Sequence, residues 1–144
     1  MSRFLVLLLL LVCVAPVRAA DLAGTVKTLA GSAFLVRQGV HLELAVVAPI
    51  LVDDRLVTRA GSSLGVILRD DTTLSLGPNS ELLVNDFVFA PKQGSFAMVL
   101  KLLKGTFLYV SGVIGKLAPD SIELKTPDST IAVRGTRVLI EVSP

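Results

Sequence analysis

From Leu64 to Val84 the even positions Leu64, Val66, Leu68, Leu74, Leu76, Leu82 and Val84 are apolar. Gly65, Arg69, Asp71, Thr73, Ser75, Asn79 and Glu81 occupy odd positions, with Ile67 and Leu83 as exceptions. A period of two is that of strands with one face buried. The pairs Val66/Leu68, Leu74/Leu76 and Leu82/Val84 recur every eight residues, parted by Asp70-Asp71 and by Gly77-Pro78-Asn79. Short strand and tight corner, repeated, predict either a meander or successive rungs that stack their inward residues as a solenoid does.

The flanking sequence keeps to short strands. Thr25–Leu29, Ala33–Arg37 and Val40–Leu44 are separated by Ala30-Gly31 and Gln38-Gly39; Pro49 and Asp53-Asp54 then turn the chain toward Leu56, Val57 and Thr58. Phe96–Lys104 could place Met98, Leu102 and Leu103 on a helical face, but Thr106–Val110 continues with β-favouring residues, so strands are expected throughout. After a Pro119-Asp120 corner and Ile122–Leu124 comes the segment from Lys125 to Val142. Pro127 bends the chain, Thr130–Val133 forms a strand, Gly135 breaks it, and Val138, Ile140 and Val142 alternate with Leu139 and Glu141. A lone Gly between two strands implies a bulge, a positive-φ corner or close approach to another backbone. The expectation is an all-β fold of short strands stacked in solenoid-like rungs, with a β-sandwich as the alternative.

Met1-Ser2-Arg3, the apolar run Phe4–Val14 and the small residues of Val17-Arg18-Ala19-Ala20 predict a secretory leader over residues 1–19, cut after Ala19 or, nearly as well, after Ala20. The run is well short of the roughly 20 residues a membrane-spanning helix needs, so a cleaved leader is favoured over an anchor. No transmembrane segment is expected after processing. Acylation of Cys13 would need a small residue where Val12 stands. Residues 20–144 then form one domain, exported to the periplasm or, alternatively, secreted.

Charge changes with processing. The chain carries 14 Lys and Arg against 12 Asp and Glu; without Arg3 and Arg18 the two are balanced, and no basic run marks a nucleic-acid surface. The sole cysteine, Cys13, leaves with the leader, so neither a disulfide nor a thiolate metal site is expected. His41, the one histidine, lies in a strand-like run and reads as a solvent-side residue; histidine-based catalysis, a transition-metal site and a bound cofactor are not expected. Neighbouring residues in a strand point to opposite faces, so Asp53-Asp54 and Asp70-Asp71 read as turn residues rather than a catalytic pair or a calcium site. Gly112–Gly115 lacks the ending of a phosphate loop. Arg134 and Arg137 flank Gly135-Thr136 and are the candidate partner-binding residues, able to grip a carboxylate or phosphate.

Several phrases together resemble the FecR domain, a bacterial envelope module. They are Gly24-Thr-Val, Gly31–Arg37, Asp53–Thr58, Leu68–Leu82, Leu103–Phe107, and Lys125-Thr-Pro through Val133-Arg-Gly-Thr136. Family members usually place Gly before the Asp of the first acidic turn and after the Asp of the second, where this chain has Asp53 and Asp71. Signalling members add a cytoplasmic anti-sigma region and a membrane helix. The resemblance therefore implies a stand-alone periplasmic module that contacts another cell-envelope protein, possible self-association through an open sheet edge, and no enzymatic activity. The alternative is a binding domain for an envelope polysaccharide, lipid or peptidoglycan fragment. It calls for an aromatic-lined groove, for which a chain with no Trp and the single Tyr109 offers little.

Overall fold

The computed structural model describes residues 22–133 and 135–143; residues 1–21, with the expected leader, and Arg134 and Pro144 lie outside the described residues. Twelve strands follow in order: β1 (Leu22–Ala30), β2 (Ala33–Arg37), β3 (Val40–Glu43), β4 (Pro49–Leu51), β5 (Arg55–Thr58), β6 (Ser63–Leu68), β7 (Thr73–Leu76), β8 (Glu81–Ala90), β9 (Ser95–Val110), β10 (Ile122–Lys125), β11 (Thr130–Ala132) and β12 (Arg137–Val142). One helix of five residues, α1 (Val113–Leu117), interrupts them.

The sixteen-residue β9 is the spine. Along one flank it pairs antiparallel with β7, Leu76 opposite Phe107, and then with β8, Leu82 opposite Leu102. Along the other it pairs in parallel with β10, Leu124 opposite Leu100, and antiparallel with β12, Ile140 opposite Phe107. The spine bends at Gly105, whose φ of 89° belongs to glycine. A Cβ at 105 would stand 2.6 Å from Ser80 Cα. Opposite the bend, residues 77–80 turn the chain from β7 into β8. There the Thr106 N–H donates to Ser80 Oγ (3.0 Å), the Ser80 N–H to Thr58 Oγ1 (2.9 Å), and the Thr58 hydroxyl to the Gly77 carbonyl (2.6 Å). Thr58 and Ser80 are buried, so these bonds satisfy groups that would otherwise be stranded.

Two wings share the spine, β3-β2-β5-β8-β9-β10-β11 and β4-β1-β6-β7-β9-β12. Leu35, Leu56, Leu82 and Leu102 from the first and Leu64, Val66, Leu74, Leu76, Phe107 and Tyr109 from the second belong to one apolar core. All seven even-numbered residues of the Leu64–Val84 alternation are buried. The fold is all-β, as expected, and the eight-residue spacing is not one of stacked rungs: β6 and β7 pair as an antiparallel hairpin, whereas β7 and β8 lie end to end along one flank of β9. Corners as tight as Asp70-Asp71 reverse the chain into antiparallel pairing, whereas a parallel neighbour needs a crossover of about a dozen residues. The one parallel pair among the described residues, β9 with β10, has such a crossover through α1.

β3 and β4 lie at the two ends of the strand path, although only Leu44–Ala48 joins them in the chain. So short a link curls the sheet until its ends approach, leaving an open half-barrel. Arg37 of β2 spans the gap: its Nε and a terminal nitrogen bond both oxygens of Asp54 (2.9 and 2.7 Å), and the same terminal nitrogen reaches the Pro49 carbonyl at 3.3 Å.

Candidate functional site

The two ends of the curled sheet are finished differently. At β4, Pro49 has no N–H to offer, its carbonyl is taken by Arg37, and the Leu51 N–H donates to Asp54 Oδ2 at 2.8 Å. This edge is closed to further strands. All four residues of β3 are exposed. The Leu44 N–H donates to the Ala33 carbonyl (2.9 Å), which sets the ladder's alternation, so that His41 and Glu43 turn their backbone N–H and C=O away from β2. Four of the seven exposed large apolar residues among the described ones, Val40, Leu42, Val46 and Val47, belong to β3 and the turn after it.

His41 takes the solvent-side place expected of it, its ring 3.9 Å from that of Phe34. Arg59 lies over Phe34 at 4.7 Å and holds Glu43 with two bonds of 3.0 and 2.7 Å. That guanidinium holds the Glu43 carboxyl below its ordinary value, and His41 adds a smaller pull in the same direction.

The acidic pairs are turn residues, as their sequence context suggested. Asp53 and Asp71 have φ of 73° and 67°, the left-handed conformation that glycine adopts most easily. Their neighbours do something composition does not disclose. Asp54 and Asp70 are fully buried, Asp54 against Arg37 and Asp70 against the Thr72 hydroxyl (2.7 Å), the Thr72 N–H (3.1 Å) and the Ile114 N–H (3.1 Å). Asp70 thereby holds the start of α1, forty-four residues along the chain. Each carboxylate is committed to structural donors.

Tyr109 is buried as well, and its hydroxyl has no hydrogen-bond partner. Burial pushes the phenol above its usual value. The Ser111 and Thr72 hydroxyls pull against this without reaching bonding geometry, and the Asp70 carboxylate adds to the push.

In the C-terminal segment the Ser129 N–H donates to Thr126 Oγ1 (3.1 Å) and the Thr126 N–H to the Ser129 carbonyl (2.9 Å), which closes the Pro127 corner. Gly135 has φ 132°, the positive-φ corner allowed for it, with open space where a Cβ would stand. Arg137 opens β12 in an exposed position opposite Val110; Arg134 lies outside the described residues. A cleft of about 510 Å³ lies beside the bend of the spine, lined by Pro78, Asn79, Lys104, Thr106, Glu141 and Val142 among others, and has no aromatic ring in its wall. No helix among the described residues is long and apolar enough to cross a membrane.

Comparison with curated proteins and with solved structures yields no match. The FecR protein family matches residues 54–144, which run from the buried aspartate of the first acidic turn through the whole spine to the last strand. That is more than half of the chain, and it includes both partner strands on each flank of β9; the chain therefore belongs to the FecR family of envelope-associated regulatory modules.

Proposed function

We propose that this protein is a non-enzymatic interaction module of the cell envelope, exported to the periplasm by its leader, and that it takes an extended segment of another envelope protein onto the free edge of β3. The observation that carries this is the contrast between the two ends of the sheet. β4 is closed by Pro49, Arg37 and Asp54, whereas β3 has no lysine, proline or bulge to discourage a further strand. His41 and Glu43 supply the main-chain donors and acceptors. Val40 and Leu42 supply an apolar strip that favours a partner segment with apolar residues at alternate positions. β3 lies before the residues that the family matches. Arg134 and Arg137 are the second proposed contact, for an acidic group on a partner.

The test is photo-crosslinking in the intact envelope from a probe at Val40, in the otherwise natural protein and in His41→Pro. That substitution removes an outward N–H and leaves the β2–β3 ladder its bonds. One specific envelope protein captured by the first and lost from the second is the expected result. No capture by a folded, processed protein overturns the reading and shifts it to a small envelope ligand.

A further inference from the structure

The β12 edge is open as well, and its sequence is complementary to itself. The Ser111 N–H donates to the Thr136 carbonyl (2.8 Å), which sets the alternation of the β9–β12 ladder. Val138, Ile140 and Val142 spend their backbone groups on β9, and Arg137, Leu139 and Glu141 turn theirs outward. The side chains of these three share the exposed face. Leu139 is 73% exposed, unusual for a leucine in mid-strand. Among the described residues neither Arg137 nor Glu141 is in an ion pair.

We propose that β12 pairs antiparallel with β12 of a second copy, about a two-fold axis at Leu139, joining two sheets into one. The self-association expected of an open edge is thereby given an edge, a register and an occupant. Centred on Leu139, the register sets Arg137 opposite Glu141 of the second copy and Glu141 opposite its Arg137, on the face where Leu139 meets Leu139. Val138 and Ile140 face each other on the inner side. The outward groups of Arg137, Leu139 and Glu141 meet their counterparts in hydrogen-bonded pairs. Other two-fold registers are worse. Centring on Arg137 or Glu141 opposes like charges, and centring on Val138 or Ile140 sets each charge opposite an uncharged residue. An isologous contact of this kind closes on itself, so it makes a dimer and not a fibre. It uses a different edge from β3 and stands or falls separately from the partner proposed there.

The test is sedimentation of the full processed protein with Arg137→Glu and Glu141→Arg variants, singly and mixed. Each variant alone places like charges at both crossings and is expected to be monomeric at concentrations where the natural protein is dimeric. A one-to-one mixture restores both crossings, and heterodimer is expected to reappear with affinity within about tenfold of the natural protein's, or 1.4 kcal/mol. Both residues are exposed, and unchanged circular dichroism confirms that each variant is folded. A second measurement is independent of charge: in a Cys13→Ser background, Leu139→Cys is expected to crosslink to its own copy on mild oxidation, because directly opposed residues of such a pair have Cα atoms about 5.5 Å apart. A natural protein that stays monomeric, a mixture that does not associate, or a Leu139→Cys variant that gives no disulfide dimer would each overturn the proposal.

Discussion

The Arg37 guanidinium holds both oxygens of Asp54 across the opening of the half-barrel, at 2.9 and 2.7 Å, with the carboxylate fully buried and the arginine about a third exposed. Asp54 also accepts the Leu51 N–H, so one carboxylate ties β2, β4 and the turn between β4 and β5. Removing one member of a buried pair strands the other. Arg37→Ala is expected to lower unfolding free energy by about 2–3 kcal/mol in urea titrations, below the full cost of a dry pair because water reaches the arginine. A loss under about 0.5 kcal/mol would mean that the Leu51 amide suffices for Asp54.

Of the five non-glycine residues with positive φ among those described, three have the largest angles and would be relieved by glycine. Asp53→Gly and Asp71→Gly relieve φ of 73° and 67°, and Val47→Gly relieves 76° at a β-branched residue whose side chain is exposed. Strain relief of about 1–2 kcal/mol is opposed by the greater freedom of glycine in the unfolded chain. The expected net is near zero to +1 kcal/mol for the aspartates, which tolerate the conformation, and a clear gain for Val47, measured as thermal midpoints. Asp53→Val should lose about 1–2 kcal/mol.

Tyr109 is the only tyrosine, so phenolate absorbance reports on it alone. Its proton is held more tightly folded than unfolded. The resulting stability is fully present below the unfolded value near 10 and is lost as pH rises through the folded value above that. Tyr109→Phe removes this alkaline decline. At neutral pH the exchange should cost less than about 0.5 kcal/mol or stabilise, because the hydroxyl makes no bond that would be lost. An ordinary phenolate titration in the folded protein would contradict this.

Gly105→Ala combines a left-handed backbone with collision against Ser80. A loss of roughly 2–5 kcal/mol is expected. Part of it should return in the double variant with Ser80→Gly, and a double-mutant cycle with no coupling would contradict the packing described.

Much of this was legible in the sequence because it is local. The alternation from Leu64 to Val84 marks the buried face residue by residue, Asp53 and Asp71 announce their turns, and Gly135 declares its corner. What could not be read depends on residues distant in the chain. Whether Val66, Leu74 and Leu82 head rungs or hairpins is a question of pairing, and a period of two is silent about partners. The helix Val113–Leu117 has no apolar rhythm and starts where Asp70 receives the Ile114 N–H, a bond spanning 44 residues. The contrast between β3 and β4 emerges only when Arg37 is seen to reach Pro49 and Asp54. The expected role of Arg134 lies outside the described residues, and Arg137 gains its proposed partner from the alternation of a ladder.

The spine has a consequence for the order of events in folding. β7, β8, β10 and β12 all pair with β9, and β5 and β6 pair with two of these, so neither wing can be completed while residues 95–110 are absent. A chain made from its N-terminus presents eight strands before the ninth exists, with Leu56, Val66, Leu74 and Leu82 still in search of cover. Partial products ending before Val110 should therefore be sticky and unprotected from proteases, and the late arrival of one strand should bring both wings to order in a single cooperative step.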